Sequence, residues 1–311
     1  MTMERSGEEP VTLRVPDLAE AIEYFTGRLG FRLEMIMPAD APCCAVLSGQ
    51  TRTFRIEAPA QQQQGETNGW RTGRAGMQYR DLIPGRLGGA AIASQIRIPA
   101  GGAVPDYVHY HRVRFQMIYC RAGWVRVVYE DQGPPFVLEA GDCVLQPPGI
   151  RHRVLEASPG LEVIEIGAPA EHETFVDHAL SLPTGRLAPE RRFGGQRFVR
   201  HRARDAAWRP WRLDGVASRD TGIAAATDDL ADVRVVRASR EIATTLSPRA
   251  SECLIFFVLQ GELGLNGRRA PAGEGCGFAA GTAVELRAAT ETEWLQVALL
   301  LPEDERSGQR A

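Results

Sequence analysis

The spacing of hydrophobic positions changes twice within the first 58 residues. Val11-Thr12-Leu13-Arg14-Val15 alternates with the period of two that a half-buried strand requires. Pro16-Asp17 then offers a turn and a helix cap, and Leu18, Ala21, Ile22, Phe25 and Leu29 recur on one helical face until Gly30 stops it. Strand patterns return at Phe31 to Met37, Cys44 to Ser48 and Thr53 to Glu57, so residues 1–58 are expected to fold as a β-α-β-β-β module. The polar run Gln61-Gln62-Gln63-Gln64-Gly65-Glu66-Thr67-Asn68-Gly69 has too little apolar surface for a core, and 59–75 is read as a linker.

Beyond it the pattern is almost entirely that of strands. Phe115-Gln116-Met117-Ile118-Tyr119 and Trp124-Val125-Arg126-Val127-Val128-Tyr129, rich in β-branched and aromatic residues, flank the turn signal Arg121-Ala122-Gly123. A second polar stretch carrying Leu182-Pro183-Thr184-Gly185 is read as a linker over 171–197. Across it the chain repeats. Arg80-Asp81 is echoed by Arg219-Asp220, the strand pattern 93–98 by 232–237, and the hairpin turn at Gly123 by Gly261. The predicted organisation is therefore mainly β: the module, two similar β domains at 76–170 and 198–302, and a tail at 303–311.

Composition narrows the function classes. A chain of 311 residues with 44% hydrophobic residues can bury more than one core, and a formal charge of −3 gives no reason to expect nucleic acid as a partner. No run approaches the ~18 to 20 apolar residues of a membrane span, and Met1 to Glu9 has no hydrophobic signal region, so a cytoplasmic protein with no membrane partner is expected. Six cysteines without a CxxC pair are read as reduced thiols, packed at Cys120, Cys143, Cys253 and Cys276.

Candidate chemistry is concentrated in 44 residues that hold three of the six histidines, written His109-Tyr110-His111 and Pro147-Pro148-Gly149-Ile150-Arg151-His152. Two histidines one residue apart on a strand share a face and can reach one ion, with a third ligand from a neighbouring strand. Tyr107 alternates onto that face and is the candidate catalytic donor to a bound substrate, while Arg112 and Arg114 alternate outward. Trp124 and Tyr129 are read as packing. His172, His178 and His201 lie in polar or arginine-rich stretches and read as surface residues.

Gly102, His109-x-His111, Gln116 and Gly123, followed by Gly141-(x5)-Pro147-x-Gly149-(x2)-His152, resemble the two motifs of the cupin family. The resemblance implies an antiparallel jelly-roll barrel with a metal in its mouth, and with the repeat it implies a bicupin. It also implies the ligand set His109, His111, Gln116 and His152, with Gln116 where cupins usually place glutamate. A neutral ligand would leave about two positive charges on a divalent ion, favouring an anionic substrate. In the second copy, alignment on Gly261 puts Ser247, Arg249 and Leu254 at the ligand positions and Val284 at that of His152, so that barrel is expected to bind no metal.

The module's pattern from Val11 through Tyr24-Phe25 to Leu29-Gly30-Phe31 resembles one half-module of the vicinal oxygen chelate superfamily, which includes glyoxalases and extradiol dioxygenases. Pro10 stands near that superfamily's histidine position and Glu57 at its glutamate, so the module is read as a packing or homodimerisation element. The functional expectation is a metal-dependent, dioxygenase-like oxygenase binding one divalent ion per chain. Fe(II) comes before manganese, nickel, copper or zinc, and the substrate is a small anionic enol or aromatic molecule that reacts with dioxygen. The alternatives are a non-catalytic ligand sensor and an oxygen-independent metal isomerase or hydrolase whose base would be Tyr107 or Glu165.

Overall fold

The computed structural model describes residues 10–59 and 69–302, so the N-terminal nonapeptide, the glutamine run and the tail at 303–311 lie outside the described residues. The module forms as its pattern predicts: β1 (Val11–Arg14), α1 (Leu18–Gly27), β2 (Arg32–Met37), β3 (Cys44–Ser48) and β4 (Thr53–Glu57). The helix starts where Asp17 accepts the backbone N–H of Glu20 at 3.0 Å. Its apolar face, led by Leu18, closes on Ile36, Leu47 and Ile56. Phe25 meets Phe31 and Phe54 edge-on at 5.3 and 5.5 Å. β1 runs parallel to β4, which gives the order β1-β4-β3-β2.

The first barrel follows with β5 (Arg71–Thr72), β6 (Gln78–Asp81), β7 (Ile92–Ile98), β8 (Gly102–Ala103), β9 (His109–His111), β10 (Phe115–Ala122), β11 (Trp124–Tyr129), β12 (Phe136–Glu139), β13 (Cys143–Leu145), β14 (His152–Ala157) and β15 (Leu161–Ala168). The hairpin between β10 and β11 turns at Gly123, whose φ of +72° and closeness to Ser158 Oγ and Leu161 leave no room for a Cβ. One wall of the barrel is the sheet β13-β10-β15-β7-β6-β5; the other contains β9, β14, β11 and β12.

The region read as a second linker contains β16 (Thr174–Val176), β17 (Arg192–Phe193) and β18 (Gln196–Arg197), with β19 (Val199–His201) just after it. β16 pairs with β2 on one side and β9 on the other, so module and barrel share one ten-stranded sheet. The β2 edge is thus closed within the chain, and on the module side the sheet ends at β1, whose Val11 is 47% exposed.

The second barrel has a six-stranded sheet around 231–238, 293–300 and 252–260 and a four-stranded sheet around 284–288. The barrels meet sheet on sheet. Phe115, Met117, Ile164 and Ile166 bury against Val233, Ile255, Phe257 and Val297. Strand alternation then forces Gln116 and Ile118, between those residues, into the first barrel's interior.

One alignment of the repeat is corrected by register. His109 pairs with His152, and Leu246, not Ser247, pairs with Val284. The counterparts of His109 and His111 are therefore Leu246 and Pro248, because the second copy has one more residue between this strand and its glycine turn. Arg249 is exposed.

Candidate metal centre

His109 and His111 occupy alternate positions of β9, and His152 opens β14 directly opposite His109. The turn before His152 passes through Gly149 at φ +74°. The three rings converge, with centroids 4.2 Å apart for His109 and His152, 5.2 Å for His109 and His111, and 5.3 Å for His111 and His152. One nitrogen from each ring lies within 4.8 Å of the others. Among the described residues no other group of histidine, cysteine and carboxylate side chains has this geometry.

Each ring is held through Nδ1. His109 meets the Tyr107 carbonyl at 2.9 Å and His152 the Ile150 carbonyl at 3.0 Å. A carbonyl only accepts, so both rings carry their proton on Nδ1 and leave the Nε2 lone pair free. His111 Nδ1 lies 2.9 Å from Thr174 Oγ1 on β16. His109 Nε2 is buried with no hydrogen-bond partner. An orphaned acceptor of this kind, beside two more imidazoles, suits a cation that takes neutral nitrogen ligands.

Electrostatics keep the rings neutral. The rings are 0%, 6% and 5% exposed for His109, His111 and His152. Burial, with Arg74 and the neighbouring imidazoles, holds His109 and His111 well below the usual histidine range. Burial brings His152 to about 4.

Gln116, 1% exposed, lines the same cavity as His111 and His152. Its Nε2 donates to Glu165 on β15, so the carboxylate absent from position 116 arrives from the adjacent strand. Burial raises the Glu165 carboxyl above its ordinary range, against the pull of His172 and Gln116.

The cavity measures about 80 Å³. At about 10–15 Å³ of such space per water it holds roughly six waters, which limits the occupant to a small molecule. Its walls are largely apolar, including Ile96, Ile118, Val125, Val127 and Leu138; the polar lining adds Arg74 and Gln146. Tyr129, 2% exposed, stacks on His152 at 5.4 Å and lines the cavity as well as packing the core. Ala39 of the module also lines it, and Arg74 N–H bonds to the Ala39 carbonyl at 3.3 Å.

Several side chains stand elsewhere than the sequence suggests. Tyr107 precedes β9 and lies edge-on to His109 at 5.9 Å, outside the set that lines the cavity. His172, read as surface, is 7% exposed with its ring 5.4 Å from His111, because the chain folds back to add β16 beside β9. His201 is likewise 7% exposed, buried by the pairing of β19 with β13. Arg114, read as solvated, donates to the Leu300 carbonyl across the barrel interface at 2.6 Å, while Arg112 is 70% exposed as expected. Glu57 pairs with Arg55 at 2.7 Å.

The residues that sequence reasoning missed are Arg74, Asp106 and Thr174. The Arg74 side chain is 9% exposed and ion-paired with Asp106, which is 0% exposed. Nothing in the polar stretch around residue 74 distinguishes this arginine from a solvated one.

Residues 94–165 match the cupin domain family. No curated protein matches the chain in sequence. Among solved structures, oxalate decarboxylase from Bacillus subtilis at pH 4.6 superposes with a TM-score of 0.50 at 12% identity, over 71% of each chain. Salicylate 1,2-dioxygenase from Pseudaminobacter salicylatoxidans superposes with a TM-score of 0.51 at 14% identity, over 67% of this chain and 70% of that one. At these identities the likeness is one of fold. The cupin match falls within the first barrel, and the mainly β architecture is similar to that of bicupins.

Proposed function

We propose that the chain is a metal-dependent cupin oxygenase, dioxygenase-like, that acts on a small anionic enol or aromatic substrate. The observation that carries this reading is the convergence of His109, His111 and His152, two of them fixed by carbonyls in the tautomer that frees Nε2, with His111 and His152 lining a largely apolar cavity. Gln116 completes the proposed ligand set. Fe(II) is the ion we assign first, and manganese, nickel, copper or zinc would use the same donors. Such an ion would supply Lewis-acid polarisation of a substrate oxygen and open positions for substrate and dioxygen.

The chain's own residues do the rest. Arg74 presents a buried cation, held charged against its burial by Asp106, to an anionic group entering the cavity. Ile118, Val125 and Val127 exclude water around the reacting atoms. The Tyr107 carbonyl fixes the His109 ring from behind. The reading draws support from two fold neighbours that, by their names, act on carboxylates, oxalate and salicylate.

Oxygen uptake tests it. Protein purified without air and loaded with Fe(II) should consume dioxygen with one or more members of a panel of small enols and hydroxylated aromatic acids, and the His111→Ala variant should not. A second reading has its own observation. Glu165 lines the cavity and could accept a proton in an oxygen-independent isomerisation or hydrolysis. Turnover of the same panel without oxygen uptake would favour it.

A further inference from the structure

We infer that Glu165 decides which end of the Gln116 amide faces the metal centre, an inference that rests on the metal-binding reading above. The two ends of a glutamine amide are nearly equal in size, so packing alone does not choose between them. A carboxylate chooses, because when ionised it can only accept hydrogen bonds. Gln116 Nε2 donates to Glu165 Oε1, and the amide carbonyl, on the opposite side of the same planar carbon, is turned away from Glu165. Both side chains line the cavity that His111 and His152 enter.

The backbone builds this pair. On the antiparallel strands β10 and β15, Gln116 stands opposite Gly167 and Ile118 opposite Glu165. Gln116 and Glu165 are therefore diagonal neighbours on one face, and glycine directly across leaves no side chain between them. The second barrel provides an internal comparison. There Phe256 pairs with Gln296 as Ile118 pairs with Glu165, and Leu254, two residues earlier, matches Gln116. The barrel whose corresponding positions hold Leu246 and Val284 in place of histidine has leucine at the position of Gln116 and an amide, Gln296, at that of Glu165, so the amide–carboxylate pair is absent there. The two go together with the site, as a positioning pair should.

The inference also moves the site's charge. With glutamine alone, the centre would contact only neutral ligands. When ionised, Glu165 behind the amide adds negative charge one side chain further out and polarises the carbonyl toward the ion without occupying its coordination sphere.

The test measures the dissociation constant of Co(II) by chelator competition, together with the visible absorption spectrum of the bound cobalt, in the full chain. Glu165→Leu removes the acceptor and should weaken binding by about 10- to 100-fold, the usual effect of losing a group that orients a ligand. Its cobalt spectrum should also change. Glu165→Gln, which can still accept through its own carbonyl, should fall between that variant and the parent. Gln116→Glu sets two carboxylates against each other; adding Glu165→Gln restores one donor and one acceptor and should recover affinity. If Glu165→Leu does not fold by circular dichroism, the isosteric Glu165→Gln and the exchanged pair still decide. Parent affinity and an unchanged spectrum in both single Glu165 variants would overturn the inference while leaving the metal reading intact. A parent chain that binds no cobalt would overturn both.

Discussion

Replacing Arg74 with methionine asks whether the charges buried around His109 are held as a set. Asp106 is 0% exposed at its side chain. It accepts the backbone N–H of Tyr107 and that of Val154, each at 2.9 Å, and lies 3.6 Å from His109 Nδ1. Without the guanidinium the carboxylate keeps these donors and loses its countercharge. Removing one partner of a buried ion pair leaves the other charge uncompensated and costs roughly 3–5 kcal/mol. Methionine fills most of the arginine stem, so the cavity contribution is small. We therefore expect urea denaturation at pH 7, followed by tryptophan fluorescence, to show about 3–4 kcal/mol of lost stability. Arg74→Met/Asp106→Asn, which removes both charges, should recover at least about 2 kcal/mol of that loss. A single-variant loss below about 1 kcal/mol, or no recovery in the double variant, would refute the argument that Arg74 is retained as the countercharge of Asp106.

Metal analysis of the parent should give about one divalent ion per chain and His111→Ala close to none, whereas two per chain would place an ion in the second barrel. The metal-free protein should lose stability as pH falls from about 6.5 to about 4, because the unfolded histidines bind protons over that window while His152, at about 4 in the fold, does not. The His152 share is roughly 3 kcal/mol at about 1.36 kcal/mol per pKa unit, and a flat urea midpoint between those pH values would contradict it. Phe257→Ala, at the contact between barrels, should cost about 3–5 kcal/mol in the same denaturation assay, and a cost under about 1 kcal/mol would mean that the interface collapses to fill the space.

Much of the fold and part of the candidate site are legible in the sequence because they depend on local periodicity. Alternation and turn glycines locate the module's strands to within a residue or two and place His109 and His111 on one face. Legibility stops where position depends on a strand that arrives from elsewhere. β16, only three residues long, sits in a polar stretch with no visible pattern, yet it joins the module to the barrel and supplies Thr174 to His111. The burial of His172 follows from the same return of the chain. Arg74 is hidden for a related reason: burial of an arginine is decided by Asp106, 32 residues away, and not by its neighbours in sequence. The repeat shows the converse limit. Aligning turn glycines finds the second copy but misses its one-residue offset, since only pairing across the sheet fixes register.

The second barrel gains a physical role once its ligand positions are seen to be apolar. Strand β10 carries two sets of residues: Phe115 and Met117, both 0% exposed, face the neighbouring barrel, and Gln116 and Ile118 face the cavity. A strand is pinned along both faces only when both are covered. The sheet that contributes Val233, Ile255, Phe257 and Val297 supplies the outer cover, so removing it would expose the back of the strand that presents Gln116. β15, which carries Glu165 and pairs with β10, is covered in the same way through Ile164 and Ile166. The second barrel thus acts on the centre through the rigidity of two strands. The geometry it secures is the Gln116–Glu165 contact, which a shift of either strand by one residue would abolish by turning one of the two side chains to the opposite face.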